Sequence, residues 1–152
     1  MAKRKLTALQ KRVLIAKDVI AQLKLPARER QYVATEGTYI ENARALSDRG
    51  GDLSAVLTKL GKCEVCARGA AFLSSVRLFD SAPVSECVSS YSSGIVDASA
   101  VVDRSARDFG SDADVIENAF EGFRDDKWLN AYRDPRLRMI AIMGNVVRNG
   151  GR

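Results

Sequence analysis

Few residues in this chain have the type and spacing that chemistry needs. Cys63-x-x-Cys66 has the spacing of half a structural zinc site, which normally takes four ligands in two such pairs. Cys87 is the one cysteine left to add and the chain contains no histidine, so a zinc ion would have to recruit a carboxylate or a second chain. The absence of histidine also removes serine–histidine and cysteine–histidine nucleophile pairs, the zinc-protease helix and the zinc deaminase signature together. A redox role would need a thiolate held at a helix N-terminus, which Cys63 could have, but the strand context of a thioredoxin-type motif is missing. The plainer reading has Cys66 as a small buried apolar residue and Cys63 in a turn.

The carboxylates Asp108, Asp112, Asp114 and Glu117 include pairs that share a helix face, as a magnesium site needs, although acids gather at a helix start simply to meet its dipole. Gly61-Lys62 lacks both the upstream glycine and the following serine or threonine of a phosphate-binding loop. Residues 57–72 can be laid over a helix-turn-helix, but the second helix would present Ala67, Gly69, Ala70 and Ala71 where base-reading side chains belong. Tyrosines, phenylalanines and Trp128 read as core more readily than as stacking platforms. The best binding candidates are cations, Lys3, Arg4, Lys5, Lys11, Arg12 and Lys17, which can touch phosphates or acidic side chains without reading sequence.

Charge is segregated along the chain. The net +5 divides into +7 over residues 1–30, −2 over 31–102, −5 over 103–126 and +5 over 127–152. Basic ends folding around an acidic strip, or one basic and one acidic face, would both give this pattern and both steer a charged partner.

These residues must be held by a framework, and its periodicity is helical. Leu6, Leu9, Val13, Ala16, Val19, Ile20 and Leu23 form a stripe, with a Thr7/Gln10 capping box before it and Pro26 after it. Residues 26–52 read as a connector with a short helix at 41–46, followed by a capped helix over 53–60 that Gly61 closes. A central helix over 64–79 contains Gly69, which points to another backbone passing close by. Residues 81–111 read as a serine-rich irregular linker with a short helix at 84–91.

Ser111 then caps a helix whose stripe is Val115, Ile116, Ala119, Phe120 and Phe123. After a link with Trp128, Leu129 and Tyr132, Asp134-Pro135 opens a last helix with a stripe of Leu137, Ile140, Ala141, Gly144 and Val147, stopped by Gly150-Gly151. With 152 residues, 46% of them hydrophobic, the expectation is one compact all-α domain of about four main helices plus short ones, with residues 1–5 a flexible basic N-terminus. The odd cysteine count, the opening Met-Ala-Lys-Arg-Lys and the lack of any apolar run near 20 residues point to a reduced cytoplasmic protein that does not engage a membrane.

The Cys66-Ala67-Arg68-Gly69-Ala70 segment, with Gly37-Thr38-Tyr39-Ile40 before it and residues 137–151 after it, resembles small uncharacterised proteins of phages and their bacterial hosts that carry a Cys-Ala-x-Gly-Ala helix. Arg68 stands where that family commonly has leucine. The resemblance implies no catalytic residue. Its phage setting implies a counter-defence or host-takeover protein that inhibits or sequesters a host component, in the host cytoplasm.

The expected function is therefore non-enzymatic binding of a host protein or an anionic ligand, without a cofactor. Two alternatives stay open: a nucleic-acid-binding module using the basic N-terminal helix, and a small nucleotide-binding protein or enzyme with a site near Tyr39, Cys66 and Arg68, with Trp128 a further binding candidate. A homo-oligomer is also open. One prediction rests on the missing fourth ligand: Cys63→Ser with Cys87→Ser leaves the protein folded, and elemental analysis finds no stoichiometric metal. About one zinc per chain would reverse it.

Overall fold

A computed structural model describes residues 4–30, 32–35, 40–41, 63–79, 98–121 and 134–151. They form five helices and three short strands: α1 (Ala8–Lys24), β1 (Tyr32–Ala34), β2 (Ile40–Glu41), β3 (Cys63–Val65), α2 (Ala67–Leu78), α3 (Ala98–Phe109), α4 (Asp112–Glu121) and α5 (Pro135–Arg148). The fold is helical, as its periodicity requires. None of the described helices is long and apolar enough to cross a membrane.

α1 starts where expected. Thr7 Oγ1 accepts from Gln10 N–H at 3.1 Å, Gln10 Oε1 accepts from Thr7 N–H at 2.9 Å, and Leu25 ends the helix in extended backbone just before Pro26. Its buried side chains are Ile15, Ala16, Val19 and Leu23. The expected stripe is thus correct only in its second half, because Leu6 and Leu9 are exposed and Val13 is half-buried.

α2 is the central helix. Every residue from Ala67 to Val76 is buried, so the helix presents no solvent face until Arg77, and it packs on α1, α3 and α4. Gly69 lies within this buried stretch. The helix begins later than the sequence suggests because Cys63–Val65 is a strand rather than a turn and part of a helix.

That strand is the middle of a small sheet. β1 pairs parallel with β3 (Tyr32 with Cys63, Ala34 with Val65), and β2 pairs antiparallel with it (Ile40 with Val65). A connector and a helix from residue 41 were expected here, yet Glu41 is in β2; the rest of that helix and the helix over 53–60 lie outside the described residues. In β1 the pattern is buried, exposed, buried, so Tyr32 and Ala34 face the core and Val33 faces solvent. Strands of two or three residues are too short for such alternation to stand out in sequence.

Within the serine-rich stretch a full helix, α3, replaces the expected irregular chain from residue 98 onward, while the short helix at 84–91 lies outside the described residues. α3 buries Val101, Ser105 and Phe109 at four-residue spacing, and the serine at the middle of the stripe hides it. Gly110, at φ 58°, ends α3, and α4 starts two residues later with Asp112 and Asp114 in its first turn. In α4, Ala113, Ile116 and Phe120 are buried, whereas Val115 points outward at 62% exposure; Phe123 lies outside the described residues.

α5 opens with Asp134 as N-cap, its carboxylate accepting from Arg136 N–H at 2.8 Å, and with Pro135 in the first turn. Its buried face is Arg138, Met139, Met143 and Val146, which corrects the expected stripe: Leu137 is exposed, and Ile140, Ala141, Gly144 and Val147 are only half-buried. The helix is apolar on most sides, so periodicity alone does not choose a face, and packing against α1 and α4 turns the methionines into the core.

The chain end closes the fold. Gly150 N–H donates to Val147 C=O and Gly151 N–H to Val146 C=O, the paired bonds of a Schellman cap. Gly151 lies at φ 92°, and a Cβ there would meet the carbonyl oxygen of Leu9 at 2.5 Å; Gly150 lies at φ 64° with nothing within 4 Å of its would-be Cβ. The two glycines should therefore respond differently. Gly150→Ala is expected to cost about 1 kcal/mol through its backbone conformation alone. Gly151→Ala should cost clearly more, because it also pushes α5 off α1. Chemical denaturation midpoints showing equal losses would disprove this contact.

Candidate binding face on the first helix

The cations singled out in the sequence separate into two sets. Arg12 turns inward. Its Nε donates to Asp108 C=O at 2.7 Å and its Nη1 to Gly151 C=O at 3.4 Å, the same nitrogen lies 3.5 Å from Asp112 Oδ2, and the guanidinium sits 6.0 Å over the Phe109 ring. One side chain thus joins α1 to the α3–α4 corner and to the chain end.

Arg68 turns inward more completely. It is 6% exposed, and its Nε donates to Ser105 Oγ at 2.8 Å while Nη1 reaches Glu117 Oε2 at 2.5 Å and Asp114 Oδ1 at 3.1 Å. A guanidinium in the first turn of a buried helix would be costly without such partners, and α3 and α4 supply them. Lys11 is partly spent as well, with its ammonium 5.5 Å from the centre of the Phe79 ring. Arg4, Lys5 and Lys17 remain exposed; Lys3, Tyr39 and Trp128 lie outside the described residues.

The acidic strip is drawn in by the same contacts. Asp112 meets Arg12, Asp114 and Glu117 meet Arg68, and Asp108 accepts from Ser75 Oγ at 2.5 Å and from Arg107. Among the described residues no cluster of three or more cysteine, aspartate or glutamate side chains could hold a metal ion.

Cys66 is the N-cap of α2, with its sulfur accepting from Gly69 N–H at 3.5 Å. Burial raises its pKa from 9.0 to about 11, against a lowering by the N–H groups of Gly69 and Arg68, and the charges of Glu121 and Glu117 raise it further. The thiol is thus protonated at neutral pH and a poor nucleophile.

What the described surface does offer is a concavity of about 360 Å³ against the start of α1, lined by Leu6, Leu9, Gln10, Val13, Leu14 and Gly150. Leu6, Leu9 and Leu14 are each more than a third exposed. The lining is apolar apart from Gln10, whose carbonyl oxygen is already engaged by the capping box. Nothing in it is suited to holding a phosphate or a sugar.

The exposed cations Arg4 and Lys5 directly precede Leu6 in the chain, and Lys17 lies one helical turn after Leu14. The cations of this face were legible in sequence; the role of Leu14 was not, because a single-stripe reading leaves it on the polar side. The run Val13-Leu14-Ile15-Ala16, apolar on every side of the helix, was the available signal that α1 has two apolar faces.

The state of Cys66 is testable. Because its pKa is higher in the folded chain than the ordinary value of 9.0, folding is favoured fully below pH 9 and loses this contribution as the pH rises toward about 11. A thiol reagent at pH 8 should label Cys66 only after denaturation, and Cys66→Ala should flatten the fall in stability between pH 9 and 11. Rapid labelling of Cys66 in the native protein would contradict the burial argument.

No family model, curated protein or solved structure matches this chain, so the functional case rests on these contacts.

Proposed function

We propose that this is a non-enzymatic binding protein that inhibits or sequesters a protein partner through the outward face of α1. The observation that supports it is the apolar concavity at Leu6, Leu9, Val13 and Leu14, on a segment that also exposes Arg4, Lys5 and Lys17. Exposed leucines that stand singly are ordinary, whereas a contiguous group beside polar residues is the usual mark of a protein contact. Catalysis is the poorer reading, since the candidate acids and Arg68 serve internal ion pairs and Cys66 is held protonated. The resemblance to phage proteins adds the setting: a counter-defence or host-takeover factor acting in the host cytoplasm, with a host protein as its partner.

A nucleic-acid-binding module is the second reading, favoured by the exposure of Arg4, Lys5, Lys17, Lys24 and Arg28 along and just beyond one helix. The two differ in what leucine contributes. Leu6→Glu with Leu14→Glu should leave the melting temperature nearly unchanged, because both side chains are already solvent-exposed, yet weaken capture of the partner in a lysate pull-down by tenfold or more. Undiminished capture, or binding of duplex DNA or RNA whose affinity falls steeply with salt and ignores both substitutions, would overturn the protein-partner reading in favour of the second.

A further inference from the structure

The outward face of α1 continues past its leucines. At about 100° per residue, Gln10, Val13, Leu14, Lys17, Ala21 and Lys24 fall on one side of the helix, opposite the buried Ile15, Ala16, Val19 and Leu23. Gln10, Leu14, Lys17, Ala21 and Lys24 are all exposed. The stripe is therefore graded, with leucine-class side chains over its first half, then Lys17, a small residue at Ala21, and Lys24 seven positions after Lys17. The only acid of α1, Asp18, is turned away to Arg77 of α2. From Gln10 to Lys24 the line runs about 21 Å at ~1.5 Å per residue, straight along one helix.

Resting on the protein-partner reading above, we infer that the element bound here is an amphipathic helix of an acidic protein, lying alongside α1 with an apolar end over Leu6, Leu9, Val13 and Leu14 and with carboxylates facing Lys17 and Lys24. A second helix fits a straight stripe of this length, and its own apolar residues at three- and four-residue spacing fill the concavity, whose lining is apolar apart from Gln10. Charge selects its sign. Lys17 and Lys24, two turns apart, match carboxylates seven residues apart on the partner.

A second copy of this chain is a poor occupant. Parallel packing of two α1 faces sets Lys17 against Lys17, and antiparallel packing sets the leucines of each copy against the lysines of the other.

Two synthetic amphipathic helices long enough to cover α1 test this with the full chain. They share one leucine stripe and differ only in carrying glutamates or lysines at two positions seven residues apart, aligned to Lys17 and Lys24. By fluorescence anisotropy at low salt the glutamate helix should bind at least tenfold more tightly than the lysine helix. Lys17→Glu with Lys24→Glu, shown by circular dichroism to remain helical, should reverse that order, and Leu14→Glu should weaken both.

Equal binding of the two helices, no saturable binding, or failure of the charge swap to reverse the preference would overturn the inference. So would light scattering that shows a dimer made monomeric by Leu14→Glu. If the helices fail while Leu6→Glu with Leu14→Glu still abolishes capture of the natural partner, the helix inference falls and the binding-protein reading stands; if capture is also unaffected, both fall.

Discussion

Arg12 and Arg68 carry positive charge from the first and second helices into the interior, and the arrangement of the other elements follows from how that charge is met. A guanidinium offers five donors in a fixed planar fork, so burying it demands several acceptors at set directions rather than one counter-ion. Arg12 takes the Asp108 carbonyl in the last turn of α3, the first carboxylate of α4 and the carbonyl of Gly151. Arg68 takes a hydroxyl from α3 and two carboxylates from α4. The two contacts fix the α3–α4 corner from both sides. Gly110 sits at this corner at φ 58°, a conformation that favours glycine, and its would-be Cβ lies 3.4 Å from the Arg12 guanidinium. Removing Arg68 would leave the mostly buried Glu117 carboxylate without its arginine, whereas Asp112 and Asp114 remain open to solvent.

Internal pairing changes what the chain's basicity can do. The first thirty residues carry +7 by count, but Arg12 is satisfied inside, Lys11 lies over Phe79, and Arg30 donates to the Leu25 carbonyl at 2.7 Å. The cations left outward run along α1 and just past its end, at Arg4, Lys5, Lys17, Lys24 and Arg28. A line of charge on one helix beside leucines suits a protein surface of defined shape, whereas a broad basic patch would suit a polyanion.

Local signals were the legible ones. The capping box of α1, the Asp134-Pro135 start of α5 and its Gly-Gly stop are all completed within a few residues, so the sequence alone carries them. The sheet was illegible because β1 and β3 find each other across some thirty residues and are too short to show a period. α3 was illegible because its buried stripe runs through Ser105, apolar neither in sequence nor in role: it is buried to receive Arg68. α5 read as a helix with the wrong face inward, since a segment apolar on most sides leaves the choice to packing against other helices. At the candidate site the same ambiguity hid Leu14, while three of the acids weighed for magnesium, Asp112, Asp114 and Glu117, are partners of arginines that lie far away in sequence.

The clasp that ends the fold also shapes the surface that binding would use. Gly151 lies against the Leu9 backbone, Arg12 holds its carbonyl, and the neighbouring Gly150 forms part of the wall of the concavity that Leu6, Leu9, Val13 and Leu14 line. The backbone at Leu9 is therefore set by the packing of α5 on α1, the pair in most extensive contact among the described elements, whereas the exposed side chains of Leu6 and Leu14 stand outside that contact. Lys17 and Lys24 carry no such constraint: both are exposed, and neither contributes to the buried face of α1. Affinity that depends on the half-buried Val13 and on the backbone at Leu9 is tied to the stability of the fold, while binding that depends on Leu6, Leu14, Lys17 or Lys24 can change by substitution with little structural cost. A protein under pressure to follow a changing partner would keep Val13 and the chain around Leu9 and vary Leu6, Leu14, Lys17 and Lys24.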